Sequence, residues 1–80
     1  MDISITIARP TYATENQVDM YYSIATNTGI LLDGLAPIDF ASSATQTNNA
    51  IINHAKQLLL TERGYTVINN DRIKLFGGSV

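Results

Sequence analysis

The chain opens with a strict alternation of apolar residues and polar or small ones. Ile3, Ile5 and Ile7 fall on one side of this pattern. A period of two built from β-branched residues is typical of a half-buried strand. Pro10 should end the strand, because proline has no backbone N–H to donate to a ladder. The same period predicts a second strand, one face of which is apolar: Val18, Met20, Tyr22 and Ile24.

The pattern between the second strand and the next long element is mixed. Residues 27–29 (Asn-Thr-Gly) and 33–34 (Asp-Gly) are turn signals, because Asn, Asp and Gly accept unusual backbone angles. The apolar run 30–32 between them predicts a short third strand in a hairpin with the second. Residues 37–40 alternate again, which predicts either a short edge strand or an extended lead-in to a helix.

A helix is predicted over residues 44–63. Ser43 and Gln46 have the spacing of a capping box, in which each side chain satisfies a free amide of the other residue. Arg63 suits the last turn, and Gly64 suits the left-handed position that follows it. Apolar residues recur on one helical face: Ile51, Ile52, Ala55, Leu58 and Leu59.

The C-terminal segment predicts a hairpin. Two apolar-rich runs, 65–68 and 72–76, flank Asn69-Asn70-Asp71, a run of residues common in tight turns. Pairing Ile68 with Ile73 gathers the aliphatic side chains on one face. That register leaves four side chains on the other face: Tyr65, Val67, Lys74 and Phe76. Residues 77–80 are expected to be a flexible tail.

These elements predict a single α+β domain over residues 1–80. The expected sheet is small and mostly antiparallel, with two or three N-terminal strands plus the C-terminal hairpin. It packs on one long helix in the order β-β-(β)-α-β-β.

Composition narrows the function classes. The chain has 80 residues, 45% of them hydrophobic, which suits one small globular core. Only 15% are charged and the net charge is −2, which argues against nucleic acid or an anionic membrane as a partner. The chain has no Cys and one His, so disulfides, thiolate sites and a multi-His metal site within one chain are excluded.

Candidate chemistry is sparse. His54 could act as a general base or as a metal ligand shared between subunits, with Tyr22 and Asp39 as the other groups to test. The simpler interpretation of His54 is a helix residue half packed against the sheet. Ser42 and Ser43 are explained as helix caps. We therefore expect no catalytic residue, no metal site and no cofactor, and the chain is not expected to be an enzyme.

The aromatic residues indicate an interaction surface. Tyr21 and Tyr22 are adjacent in a predicted strand, so they face opposite sides of the sheet. One helix can cover only one side, and Leu60 lies opposite Ile51 on the helical wheel. Exposed aromatic surface rimmed by uncharged polar residues is typical of protein interfaces. The candidate interface residues are Tyr21, Tyr65, Phe76, Leu60, Arg72 and Lys74.

Two functions are weighed above an enzymatic one. The first is a non-catalytic structural or assembly protein, a homo-oligomer or a part of a larger lattice. By analogy of size and composition, an accessory component of a viral or phage particle (a decoration, cement or tail-associated protein) fits this class. The alternative is an adaptor that binds one partner protein by adding a strand at the first or the C-terminal strand. The N-terminal residues lack signal-peptide features, which predicts cytoplasmic synthesis with a virion as one destination.

Overall fold

The computed structural model describes residues 1–12 and 14–77, with only the backbone of residues 9 and 12. Four strands and one helix follow one another along the chain: β1 (Asp2–Tyr12), β2 (Gln17–Thr26), β3 (Leu31–Asp39), α1 (Ala44–Arg63) and β4 (Arg72–Gly77). The strands form one sheet in the order β3-β2-β1-β4. The predicted α+β class, with one helix packed on a sheet, is confirmed.

The sheet is mixed but mostly antiparallel. β1 pairs with β2 and β2 pairs with β3, both antiparallel, whereas β4 lies parallel to β1. The predicted turn at residues 27–29 connects β2 to β3, and Gly29 has the positive φ of 94° that such a turn requires.

The sequence predicted that β1 would end at Pro10, and this prediction is wrong. The strand continues to Tyr12 through a shift in register between Ile7 and Pro10. β4 accompanies β1 only as far as Ile7, which pairs with Gly77. Beyond that point β1 is an edge strand, where a proline costs no ladder bond on its free side.

β3 is one continuous strand, so the predicted turn at residues 33–34 is wrong. Phe40 donates its backbone N–H to Asn16, and Thr26 donates to Ile30. In an antiparallel ladder the hydrogen-bonded positions alternate, so the even-numbered residues of β3 bond to β2. Pro37 is odd-numbered and its missing N–H would face the free edge, which explains how this edge strand accommodates it.

The predicted C-terminal hairpin is also wrong. No strand forms over residues 65–71, and β4 pairs with β1 over Asp2–Ile7 instead. Asn69 and Asn70 do form a turn, closed by the Asp71 N–H, which donates to the Ile68 carbonyl at 3.0 Å. Gly77 of the expected tail is the last residue of β4, and residues 78–80 lie outside the described residues.

α1 begins and ends where its capping residues predict. The Ser43 side chain accepts from the Gln46 N–H at 3.2 Å, and the Gln46 side chain accepts from the Ser43 N–H at 2.8 Å. Gly64 has a φ of 64° and its N–H bonds back to the Leu60 carbonyl at 2.9 Å. These bonds satisfy amides and carbonyls that a helix terminus otherwise leaves free.

The core lies on one face of the sheet. The predicted isoleucines of β1 and apolar positions of β2 are buried there against Ile51, Ala55 and Leu59 of α1. The helix lies mainly over β3 and β2. The linker from α1 to β4 contributes Tyr65 and Val67, which pack against the same core. The opposite face of the sheet carries no covering element among the described residues.

Candidate functional site

The uncovered side of the sheet is the largest feature that the fold leaves without an internal role. We call it the open face, defined by the outward side chains of the four strands. These side chains include Asp2, Ser4, Thr6, Asp19, Tyr21, Ser23, Ala25, Leu31, Asp33, Leu35, Pro37, Arg72, Lys74 and Phe76. Side chains alternate along a strand, so burying the core side of each strand brings this second set together.

Large apolar side chains lie on the open face. Tyr21 and Leu35 are direct cross-strand partners, 48% and 38% exposed. Phe76, beside Thr6, is 48% exposed, and Leu31, beside Ala25, is 71% exposed. Their polar neighbours include the hydroxyl residues Ser4, Thr6 and Ser23. Such a patch is typical of a surface that binds protein.

The basic groups of the open face lie on β4 only, whereas its acidic groups are spread over the other three strands as Asp33, Asp19 and Asp2. Asp33 on β3 accepts a hydrogen bond from the Ser23 hydroxyl at 2.9 Å. Arg72 and Lys74 lie on β4 at the opposite edge. The Arg72 Nε lies 4.0 Å from an Asp2 carboxylate oxygen, and both side chains are exposed, so this ion pair contributes little to stability. The β3 edge therefore carries an acidic group, and the β4 edge carries the two basic ones.

Four of the six predicted interface residues lie on the open face: Tyr21, Phe76, Arg72 and Lys74. Leu60 is exposed as well, but on the outer side of α1, away from the sheet. The structure therefore separates Leu60 from the other candidates. If both surfaces bind protein, they bind different partners or different copies.

The expected outward position of Tyr65 is wrong. Tyr65 is partly buried against the core, and its hydroxyl donates to an Asp71 oxygen at 2.8 Å. This hydrogen bond to a carboxylate favours the neutral phenol, so it raises the pKa of Tyr65. The Ile68 N–H donates to the same oxygen at 2.9 Å, and this bond, followed by that of Tyr65, lowers the pKa of Asp71. Asp71 also accepts from the Met1 amino group at 3.2 Å.

Tyr22 and His54, two of the three residues considered for chemistry, are brought together. The Tyr22 hydroxyl is hydrogen-bonded to Nδ1 of His54, and the rings meet edge to face with centroids 5.4 Å apart. Burial raises the pKa of Tyr22 to about 12, so the phenol is neutral at physiological pH. A buried neutral phenol held this way can fasten the helix to the sheet.

Gly34 makes room for the Tyr22 ring. The two residues are cross-strand partners, and a Cβ on Gly34 would lie 2.8 Å from Tyr22 Cε1 and closer still to Cζ and the hydroxyl oxygen. The ring therefore covers the glycine backbone and extends across β3 towards α1. The glycine that suggested a turn in the sequence is needed here for space.

Asp39, the third residue considered for chemistry, lies elsewhere. It is five residues along β3 from Gly34, a distance of about 17 Å in a strand. A cavity of about 120 Å³ lies beside it, near the start of α1, and would admit one small apolar group. It is lined by Pro10, Val18, Met20, Ile38, Asp39, Phe40, Ser42 and Thr47.

Sequence reasoning missed two open-face residues, Leu31 and Leu35. The signal was a period of two that continues unbroken through residues 31–38, with Asp33 and Pro37 on the same side as the two leucines. Interpreting Asp33-Gly34 as a turn hid it. Phe40 and Ile68, both more than half exposed, were also missed.

No protein-family model, curated protein or solved structure matches the chain. Within residues 1–12 and 14–77, no three His, Cys, Asp or Glu residues are grouped to hold a metal ion. In the same part of the chain, the one helix lacks the length of apolar sequence needed to cross a bilayer. The geometry of the chain itself therefore carries the functional argument.

Proposed function

We propose that the protein is a non-catalytic structural or assembly protein that acts through contacts of its open face with other protein surfaces. The observation that carries the proposal is the one-sided burial of the sheet. α1 and the linker cover one face, and the other exposes Tyr21, Leu35 and Phe76 among hydroxyl residues. Exposed aromatic groups of this kind supply much of the binding energy in protein interfaces.

Size and composition support a place in a larger assembly. A chain of 80 residues buries a limited core, and contact with neighbouring subunits adds stability that the single domain lacks. Accessory components of viral or phage particles (decoration, cement or tail-associated proteins) share this small size and low charge. We therefore propose a homo-oligomer or a lattice component of that class, with protein as its partner.

The Tyr22–His54 pair supports a structural role rather than a catalytic one. The phenol is buried, and its hydroxyl is already engaged in the hydrogen bond to the imidazole. Asp39, the third group considered for chemistry, lies at the far end of the strand. The described residues thus place no orienting carboxylate on this pair.

The test is sedimentation of the wild-type chain and a Tyr21→Ser variant across a concentration series. We expect wild type to form a defined oligomer and the variant to associate at least about thirty-fold more weakly, a loss of ~2 kcal/mol. The free energy of unfolding should change by less than about 0.5 kcal/mol, because Tyr21 is half exposed.

Ile68→Ser is the matched control, since Ile68 is equally exposed but lies in the linker, off the open face. It should leave association unchanged. Leu60→Ser tests the helix surface separately. A wild-type chain that stays monomeric at high concentration and binds no larger assembly would contradict the proposal. An equal loss of folding and association in Tyr21→Ser would assign Tyr21 to the core.

Strand addition at a sheet edge is the second candidate, and of the two strands that the sequence suggested for it, β4 is the one at an edge of the sheet. Over Asp2–Ile7 β1 lies between β2 and β4, so this part of the first strand is not the free edge that the sequence suggested. Arg72 donates its N–H towards β1, so the backbone groups of Ile73 and Leu75 point away from it. Amide exchange distinguishes the two functions, because only strand addition should protect Ile73 and Leu75 when a partner binds.

A further inference from the structure

We infer that the partner of the open face is a second copy of this chain, related by a two-fold axis that runs along the strands. The inference rests on the proposed function, because it assumes that the open face binds protein. It adds the identity of the partner and the arrangement of the two sheets. In this arrangement β3 of each copy lies over β4 of the other.

The charge distribution selects this arrangement. Within each copy Asp33 lies on the β3 edge, Arg72 and Lys74 lie on the β4 edge, and Asp2 and Asp19 lie on the two strands between them. A two-fold axis along the strands sets the acidic edge of one copy over the basic edge of the other, twice. An axis across the strands would instead set β3 on β3 and β4 on β4, with like charges opposed at both edges.

Lys74 and Asp33 are close enough in register to pair. Across the sheet, Lys74 of β4 is level with Ser4 of β1, Ala25 of β2 and Leu31 of β3. Asp33 lies one outward position further along β3, a separation of about 7 Å along the strand. An extended lysine side chain can span about that distance. Within the described residues Lys74 forms no ion pair of its own.

The area of the open face is sufficient for a stable dimer. The four strands have 11, 10, 9 and 6 residues, so they average about 30 Å in length. At a spacing of about 4.8 Å they give a flat area of roughly 550–600 Å². The projecting side chains raise the accessible area above this figure. Standard interfaces bury about 600–1,000 Å² on each partner. In the same register Leu35 of β3 would lie one outward position, about 7 Å along the strand, from Phe76 of the facing β4.

The test is a charge swap measured by sedimentation at low ionic strength. In the Asp33→Lys dimer, the new lysine of each copy would face Lys74 of the other copy. In the Lys74→Glu dimer, the new glutamate of each copy would face Asp33 of the other copy. We expect each variant to dimerise at least about tenfold more weakly than wild type. An equal mixture should recover to within about threefold of wild type, because the mixed dimer regains an attractive pair at both contacts. Added salt should shrink all of these differences.

Glu62→Lys and Lys56→Glu are the matched controls. They make the same charge changes on the exposed surface of α1 and should not alter dimerisation. Single swaps that weaken the dimer, followed by recovery in the mixture, support the inference.

Three results would overturn it. If Tyr21→Ser weakens dimerisation but the charge swaps have no effect, the proposed function is retained and this arrangement is excluded. If each single variant dimerises weakly and mixing the two does not restore dimerisation, the β3-over-β4 contact is excluded. A monomeric wild type that binds a different protein through Tyr21 would exclude a second copy and still leave the open face as the functional surface.

Discussion

Gly34→Ala tests the packing that joins the sheet to the helix. The new methyl carbon would lie 2.8 Å from Tyr22 Cε1 and closer to the end of the ring, far inside van der Waals contact. Tyr22 is 2% exposed, so its ring has no free space into which to move. Displacing the ring would also break its hydrogen bond to His54.

Three terms set the expected size of the effect. Overpacking a filled core site costs about 1–3 kcal/mol, and losing the phenol hydrogen bond adds about 1 kcal/mol. Replacing glycine with alanine restricts the unfolded chain, which returns about 0.5–1 kcal/mol. The net loss is about 2 kcal/mol, equivalent to a fall in Tm of about 10 °C for a domain of this size.

Urea denaturation followed by circular dichroism measures the loss, and a double-mutant cycle assigns it. In a Tyr22→Leu background the ring end is absent, so Gly34→Ala should be neutral or slightly stabilising. The coupling energy should then be about 2 kcal/mol. A neutral Gly34→Ala in the wild-type background, or the same loss in both backgrounds, would refute the assigned packing of Tyr22 over the glycine.

Three further changes test the helix cap and the two titrating groups. Ser43→Ala should cost about 1 kcal/mol in urea denaturation, because it removes the acceptor for a first-turn amide, whereas Ser42→Ala should be near neutral. Burial raises the pKa of Tyr22 to about 12, so stability should fall as the pH rises from about 10 to 12 in wild type and less so in Tyr22→Phe. Asp71→Asn should lower Tm at neutral pH. The difference in Tm from wild type should shrink as the pH falls below 3.8, because the lowered pKa of Asp71 stabilises the fold only while this carboxylate is ionised.

Local patterns predicted the elements whose causes are local. The alternation of Ile3, Ile5 and Ile7 gave the buried side of β1, and the spacing of Ser43 and Gln46 placed the start of α1 within one residue. Each depends on neighbours within a few positions along the chain. A sequence contains that information directly.

The errors arose where a distant partner decides the structure. The turn residues before Asp71 favoured a hairpin, but β4 pairs with β1, some 70 residues earlier along the chain, and Asp71 bonds to Met1 and Tyr65. Nothing local to residues 65–76 indicates that pairing. Gly34 was read as a turn because its actual reason, the ring of Tyr22, lies on the next strand.

For the candidate interface, the sequence predicted the exposure of Tyr21 and Phe76 but misplaced Tyr65. The position of Tyr65 followed from the assumed hairpin register, and it changed when that register did. The separation of acidic and basic edges was also beyond the sequence, because it requires the order of the strands in the sheet.

The parallel pairing of β1 with β4 has a mechanical consequence. The shared ladder runs from Asp2 beside Arg72 to Ile7 beside Gly77, so Asp2 and Gly77 lie at its opposite ends. A stretching force applied between those two residues would slide the strands past each other and load every hydrogen bond of the ladder at once. An antiparallel terminal hairpin would instead open one bond at a time, like a zipper. The β1–β4 ladder should therefore resist tension along its strands more strongly than a terminal hairpin would.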